Sequence, residues 1–146
     1  MLLPQPDPQR LKLRPQLLRG LLDLLRPDQV IHHPEELAVY ECDALSAYRQ
    51  QPLVVVLPET TQEVAALMRL CHQLRLPVVP WGAGTGLSGG ALPLQDGLLL
   101  SLARLNRILE VDLANRTVTV QPGVTNLNVT NAVRAQGFYY APDPSS

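Results

Sequence analysis

The sequence predicts an α+β protein of the α/β type, with a small parallel or mixed sheet flanked by helices. Three adjoining stretches predict it. Leu53-Val54-Val55-Val56-Leu57, bounded by Pro52 and Pro58, is an unbroken apolar run, the pattern of a strand buried on both faces. Thr60-Thr61-Gln62-Glu63 carries a capping box, and Val64, Leu67, Met68, Cys71 and Leu74 then fall on one helical face. Pro77 stops that helix and Val78-Val79 begins another strand, so the order is strand, helix, strand, with a right-handed crossover expected.

The flanking segments extend this plan. Met1 to Leu13, rich in proline and polar residues, is expected to fray. Pro15 suits a first helical turn, and Leu17, Leu18, Leu21, Leu22 and Leu25 repeat at helical spacing until Pro27-Asp28. Residues 1–28 therefore read as a helical extension and 29–146 as the domain itself. Val30-Ile31 is a brief apolar touch, Pro34-Glu35-Glu36 opens a short helix, and Tyr40 to Gln51 has no period.

Beyond residue 90, Leu98-Leu99-Leu100-Ser101 reads as a strand. Ile108 to Asp112 and Thr117 to Gln121 form a hairpin turning through Ala114-Asn115-Arg116. Pro122-Gly123 breaks it, and Thr125 caps a last helix running to about Gln136, with Gly137 as its stop. Phe138 to Ala141 is short and apolar, and the turn-rich end has no closing element. The sequence is expected to be the N-terminal part of a longer domain, whose second lobe it only begins.

Composition narrows the function. Twelve basic and thirteen acidic residues lack the positive footprint of a nucleic-acid binder. Two cysteines, Cys42 and Cys71, make no disulfide framework and suit a reducing, cytoplasmic setting. Cys71 falls on an apolar helical face and reads as core. No basic stretch leads into an apolar one at the start, and the longest apolar run is too short for a membrane span. His32, His33 and His72 show no metal-ligand spacing, so no metal site is assigned. Asn115-Arg116-Thr117 and Asn128-Val129-Thr130 match the glycosylation pattern by chance in such a setting.

The chemistry concentrates in Trp81-Gly82-Ala83-Gly84-Thr85-Gly86-Leu87-Ser88-Gly89-Gly90, which holds five of the nine glycines. Glycine lets main-chain amides converge on an anion, and Thr85 and Ser88 can add hydroxyl donors. No Lys or Arg lies between Arg75 and Arg104, so a phosphate here would meet neutral donors. Counted from Gly82, the sixth position is Leu87, which fails the dinucleotide fingerprint. Gly84 and Gly89 have P-loop spacing, but Gly90 and Ala91 stand where Lys and Ser/Thr are needed. Spacing alone leaves two readings: an anion cradle of another kind, or a flexible surface loop.

The order of segments separates them. The run from Pro52 to Pro58, the glycine loop, Val120-Gln121-Pro122-Gly123-Val124 and Tyr140-Ala141-Pro142-Asp143-Pro144-Ser145-Ser146 together resemble the FAD-linked oxidases of the vanillyl-alcohol-oxidase, or PCMH-type, superfamily. Within it the likeness is to the FAD-binding subunit of glycolate oxidases, and Tyr40-Glu41-Cys42-Asp43-Ala44-Leu45 also matches.

The resemblance implies a PCMH-type FAD-binding domain of two lobes with FAD between them. Gly82, Ala83, Gly84, Thr85, Gly86, Leu87 and Ser88 would hold the diphosphate, with Trp81 at the edge of the site. Pro122 and Gly123 would run along the cofactor, and Pro142, Asp143, Ser145 and Ser146 would approach the flavin. The loop has no His or Cys for a covalent tether, so FAD is expected to bind non-covalently. Trp81 stands where the family commonly has Arg.

The implied reaction is oxidation of a small D-2-hydroxy acid, glycolate first, with D-lactate or D-2-hydroxyglutarate as alternatives. A catalytically inert truncated or split fragment is a further alternative. Companion FAD-binding and iron–sulfur subunits are implied, with peripheral membrane association through them. Relatives draw catalytic residues from parts beyond this sequence, so none is assigned. Asp43 reads as a turn or surface residue. Asp143 reads as an Asx turn near the cofactor, and Tyr139 and Tyr140 as packing or flavin contacts.

Overall fold

The computed structural model describes residues 3–142. Its first sheet has four strands: β1 (Val30–Ile31), β2 (Val54–Val56), β3 (Val78–Trp81) and β4 (Leu98–Ser101). Their spatial order is β1-β2-β4-β3, with β2, β4 and β3 parallel and β1 antiparallel to β2. The apolar runs predicted this, since a strand covered on both faces needs no polar alternation. β2 and β4 are buried along their whole lengths.

One face of the sheet presents Val54, Val56, Leu98 and Leu100 to helices α2 (Arg14–Leu24) and α4 (Thr61–Leu74). Leu17, Leu21, Leu67 and Cys71 come down onto it from those helices. The period-two alternation of a strand sends Val55 and Leu99 to the other face, where Leu37 of the short helix α3 (Pro34–Leu37) covers them. Ile31, Tyr40, Leu57 and Trp81 complete that second cluster.

The capping box of α4 forms as its sequence demands. Thr60 Oγ1 accepts from Glu63 N–H at 3.1 Å, and Glu63 Oε2 accepts from Thr60 N–H at 3.1 Å. Burial of Cys71 among leucines pushes its thiol pKa up to about 11, which suits a core residue rather than a reactive one.

The start of the chain departs from expectation. Instead of fraying through Leu13, it forms helix α1 (Pro8–Lys12), capped by the Asp7 side chain accepting from Gln9 N–H. Asp96, far along the chain, is the reason. Its Oδ2 accepts from Asp7 N–H at 3.0 Å and from the Arg10 guanidinium at 2.9 Å, pinning the segment to the turn before β4. Burial works to raise the Asp96 pKa, but these donors outweigh it and hold the carboxyl below its ordinary value.

A second tie joins the end of α2 to the loops after β2 and β4. Arg26 pairs with Asp28 and Glu59, and Arg104 pairs with the same two carboxylates. Hydrogen bonds from the arginines hold both carboxyl groups below their usual range. The four charges lie near the surface, so each pair contributes little on its own and the cluster acts mainly by fixing geometry.

The second lobe begins with an antiparallel hairpin, β5 (Ile108–Asp112) and β6 (Thr117–Val120), with an irregularity between Ile108 and Glu110. Helix α5 (Asn126–Val133) follows, capped by Thr125 and continued as a 3-10 turn through Gln136. Gly137 ends it at φ 79°. Phe138 to Ala141 forms no strand; the Tyr140 N–H instead donates to Thr130 Oγ1 at 3.1 Å.

Candidate functional site

Because β2, β4 and β3 are parallel, Val56, Ser101 and Trp81 end at the same edge of the sheet. Ligands of open α/β sheets gather at this carboxyl edge. The glycine loop leaves it directly from Trp81, and the loop after β4 leaves beside it. Leu102 links three parts of the site. Its N–H donates to the Trp81 carbonyl at 2.9 Å, while its own carbonyl lies 2.2 Å from where a Cβ on Gly123 would stand. Gly123 N–H also donates to the Leu105 carbonyl at 2.8 Å. The fold therefore packs Pro122-Gly123 against the backbone that also anchors the start of the glycine loop.

The loop's amides are unspent. Among the described residues, no N–H from Gly82 to Ala91 donates to another protein group. Gly82, Ala83 and the stretch from Thr85 to Ser88 are exposed, so this part of the loop is open to solvent. Gly84 and Gly89 have φ of +70° and +74°, a region that side chains resist. Such turns leave successive N–H groups pointing into a concavity, which is the geometry that binds an anion. The sequence carries no charge from Leu76 to Gln95, so amides and the hydroxyls of Thr85 and Ser88 supply the polarity.

Trp81 packs inward. Its ring meets Tyr40 edge-on, 5.9 Å between centroids, and it joins the cluster under Val55 and Leu99. Tyr40 and Leu45 are neighbours of the loop that the aperiodic 40–51 segment did not reveal, and Asp43 is tied to Leu45. Asp43 is in a turn as expected, but it is buried, not at the surface. Its carboxylate curls back onto Leu45 N–H, which withdraws it from solvent.

The remaining sequence candidates divide. The Pro142 carbonyl accepts from Asn126 Nδ2 at 3.3 Å, at the start of α5. Asp143, Ser145 and Ser146 lie outside the described residues. Tyr139 and Tyr140 line a largely apolar groove of about 500 Å³ between the hairpin and α5, with Val118, Val129 and Phe138. A second groove, of about 390 Å³, is lined by Glu59, Thr60, Arg104, Asn106 and Arg107. Arg104 there is already committed to Asp28 and Glu59, which cancels its charge for any anion. Among the described residues no three His, Cys, Asp or Glu side chains gather as a metal site, and no helix is long and apolar enough to cross a membrane.

The same architecture recurs in solved structures. An alkyldihydroxyacetonephosphate synthase superposes with a TM-score of 0.80 at 22% identity, over 99% of this chain and 28% of that one. A p-cresol methylhydroxylase with substrate bound superposes with a TM-score of 0.71 at 16% identity, over 90% of this chain and 26% of the other. The fold is thus one that these proteins share.

Residues 52–146 match the FAD binding domain family, and the chain belongs to it. The chain is 51% identical over 133 residues to the glycolate oxidase subunit GlcD of Escherichia coli K12, covering 91% of this chain and 27% of that protein. The Bacillus subtilis GlcD is 44% identical over 74% of this chain and 23% of its own length. The D-2-hydroxyglutarate dehydrogenase of Xanthomonas citri pv. viticola is 41% identical over 75% of this chain and 23% of its own. The chain thus spans about a quarter of the relatives it matches. FAD is the cofactor of the family, and a neutral cradle of free amides without His or Cys fits its diphosphate, held non-covalently.

Proposed function

We propose that this chain supplies the diphosphate-holding part of the FAD site in an oxidoreductase acting on a small D-2-hydroxy acid, glycolate first. The observation that carries the reading is the run of unengaged amides from Gly82 to Ala91 at the carboxyl edge of the sheet. Likeness to the GlcD subunits supports glycolate. Gly82 to Ser88 bind the diphosphate through N–H groups, helped by the Thr85 and Ser88 hydroxyls. Trp81 shapes the floor of the loop. Pro122 and Gly123 pass along the cofactor, and Pro142, Asp143, Ser145 and Ser146 belong to the flavin side.

When bound, FAD supplies the redox chemistry, taking up hydride from the α-carbon of the hydroxy acid. The residues of this chain bind and orient it, and none is assigned to catalysis. Residues 1–28 act as a helical extension and 29–146 as the first part of the FAD domain. In the whole enzyme, companion FAD-binding and iron–sulfur subunits carry electrons onward, in the cytoplasm or at the membrane surface through those partners. D-lactate or D-2-hydroxyglutarate is the second reading of the substrate, favoured by the 36% and 41% identity to dehydrogenases of those acids. A catalytically inert fragment is the other reading of this chain by itself.

FAD titration tests the site. Trp81 is the single tryptophan and stands at the loop's first position, so its fluorescence reports occupancy. FAD should quench it in the wild-type chain, and Gly84→Val and Thr85→Val should weaken the response. Equal binding by all three proteins would place the diphosphate elsewhere.

A further inference from the structure

Two buried acceptors stand unmatched in the segment before β2. Asp43 and Gln50 are 4% and 6% exposed, and Asp43 Oδ2 and Gln50 Oε1 have no hydrogen-bond partner among the described residues. Their remaining polar atoms are engaged. Asp43 Oδ1 accepts from Leu45 N–H at 2.9 Å, and Gln50 Nε2 donates to the Pro4 carbonyl at 3.1 Å. Gln50 N–H donates to the Glu41 carbonyl at 2.7 Å, which keeps both side chains on one short loop. A buried acceptor without a donor bears its full desolvation cost, so a protein retains one where a donor arrives in another state.

The glycine loop carries uncommitted donors. Leu45, whose amide already holds Asp43, reaches that loop: its Cδ2 is 3.8 Å from where a Cβ on Gly89 would stand. Gly89 is only half-exposed, with φ of +74°. When several N–H groups of a turn converge on an anion, those between them face back into the protein and need acceptors there.

We infer that Asp43 is a positioning residue for the glycine loop. As the diphosphate binds, the Ser88–Gly90 end settles onto Asp43 Oδ2 and donates to it through an N–H or the Ser88 hydroxyl. The carboxylate thus fixes the inward side of the loop while the outward amides hold the anion. This rests on the diphosphate reading given above.

The test compares wild type with Asp43→Asn in the full chain. Asparagine keeps the oxygen that accepts from Leu45 N–H and replaces the free acceptor with a donor. FAD affinity, measured by Trp81 quenching, should fall about tenfold or more. The melting temperature without FAD should stay at or above wild type, because a binding residue is not maintained for the stability of the free protein. Hydrogen exchange should show FAD protecting the Gly89 and Gly90 amides in wild type and not in the variant.

Unchanged affinity and protection in Asp43→Asn would overturn this inference alone. A joint fall in melting temperature and affinity would also overturn it, by making Asp43 an ordinary structural residue. A wild-type chain that binds no FAD would overturn the diphosphate reading as well, and the two failures are thereby told apart.

Discussion

A Cβ built on Gly84 would lie 2.4 Å from Cζ2 of Trp81, so the indole and the bare glycine backbone occupy one fitted contact. The tryptophan at the end of β3 folds beneath the loop that it begins, and the loop closes over it only because Gly84 has no side chain. The ring shapes the loop from below, in a stretch that carries no charge from Leu76 to Gln95.

Gly84→Ala should therefore weaken FAD binding for two reasons. The left-handed backbone at φ +70° costs an alanine about 1 kcal/mol, and the methyl group must displace the indole. In a Trp81→Ala background the steric part disappears and the backbone part stays. A double-mutant cycle on FAD affinity should show coupling on the order of 1 kcal/mol. Strict additivity would mean that the two residues do not constrain each other.

Gly123→Ala should be costly to the fold itself. Its new Cβ would meet the Leu102 carbonyl at 2.2 Å and the Leu105 carbonyl at 2.9 Å, and backbone atoms cannot rotate aside. We expect a loss of about 1–3 kcal/mol in urea unfolding, in the usual range for overpacking. Gly86→Ala is the matched control. Nothing lies within 4 Å of its Cβ position and its φ is not in the left-handed region, so its stability should be nearly unchanged.

Acid should release the N-terminal helix. The folded-state pKa of Asp96 is depressed below its ordinary value of 3.8, so this carboxylate binds fewer protons in the folded than in the unfolded state. Its contribution is fully present above the unfolded pKa and is lost as pH falls through the lowered folded value. Asp96→Asn should remove that contribution at neutral pH and flatten the stability profile below about pH 4. Hydrogen exchange at Leu11 and Leu13 should quicken in the variant. An unchanged acid limb would mean that Asp96 does not hold α1.

Where a residue's role depends on its near neighbours in sequence, the sequence specifies it directly. The run from Leu53 to Leu57 contains β2, Thr60 and Glu63 cap α4, the segment around Ala114-Asn115-Arg116 turns the hairpin, and Gly137 ends the last helix. Each follows from backbone preference and side-chain period over a few residues. The glycine loop was equally plain as chemistry, because clustered glycines and an absence of charge are properties of the chain itself.

Tertiary structure decided what those properties meet. It inserted β4 between β2 and β3, although β2, α4 and β3 are consecutive in sequence. It drew Asp7 and Arg10 to Asp96 across more than eighty residues, turning a proline-rich leader into a capped helix. It buried Asp43 and brought Leu45 against Gly89, within a segment whose residues show no period. The amino-acid sequence by itself determined the local elements and an uncharged, amide-rich loop, since these depend on torsional preference and hydrophobic period. Which side chains stand behind that loop, and which carboxylates hold the chain's beginning, depends on contacts between distant segments. Those contacts form only when the apolar faces of α2, α4 and the sheet close on one another.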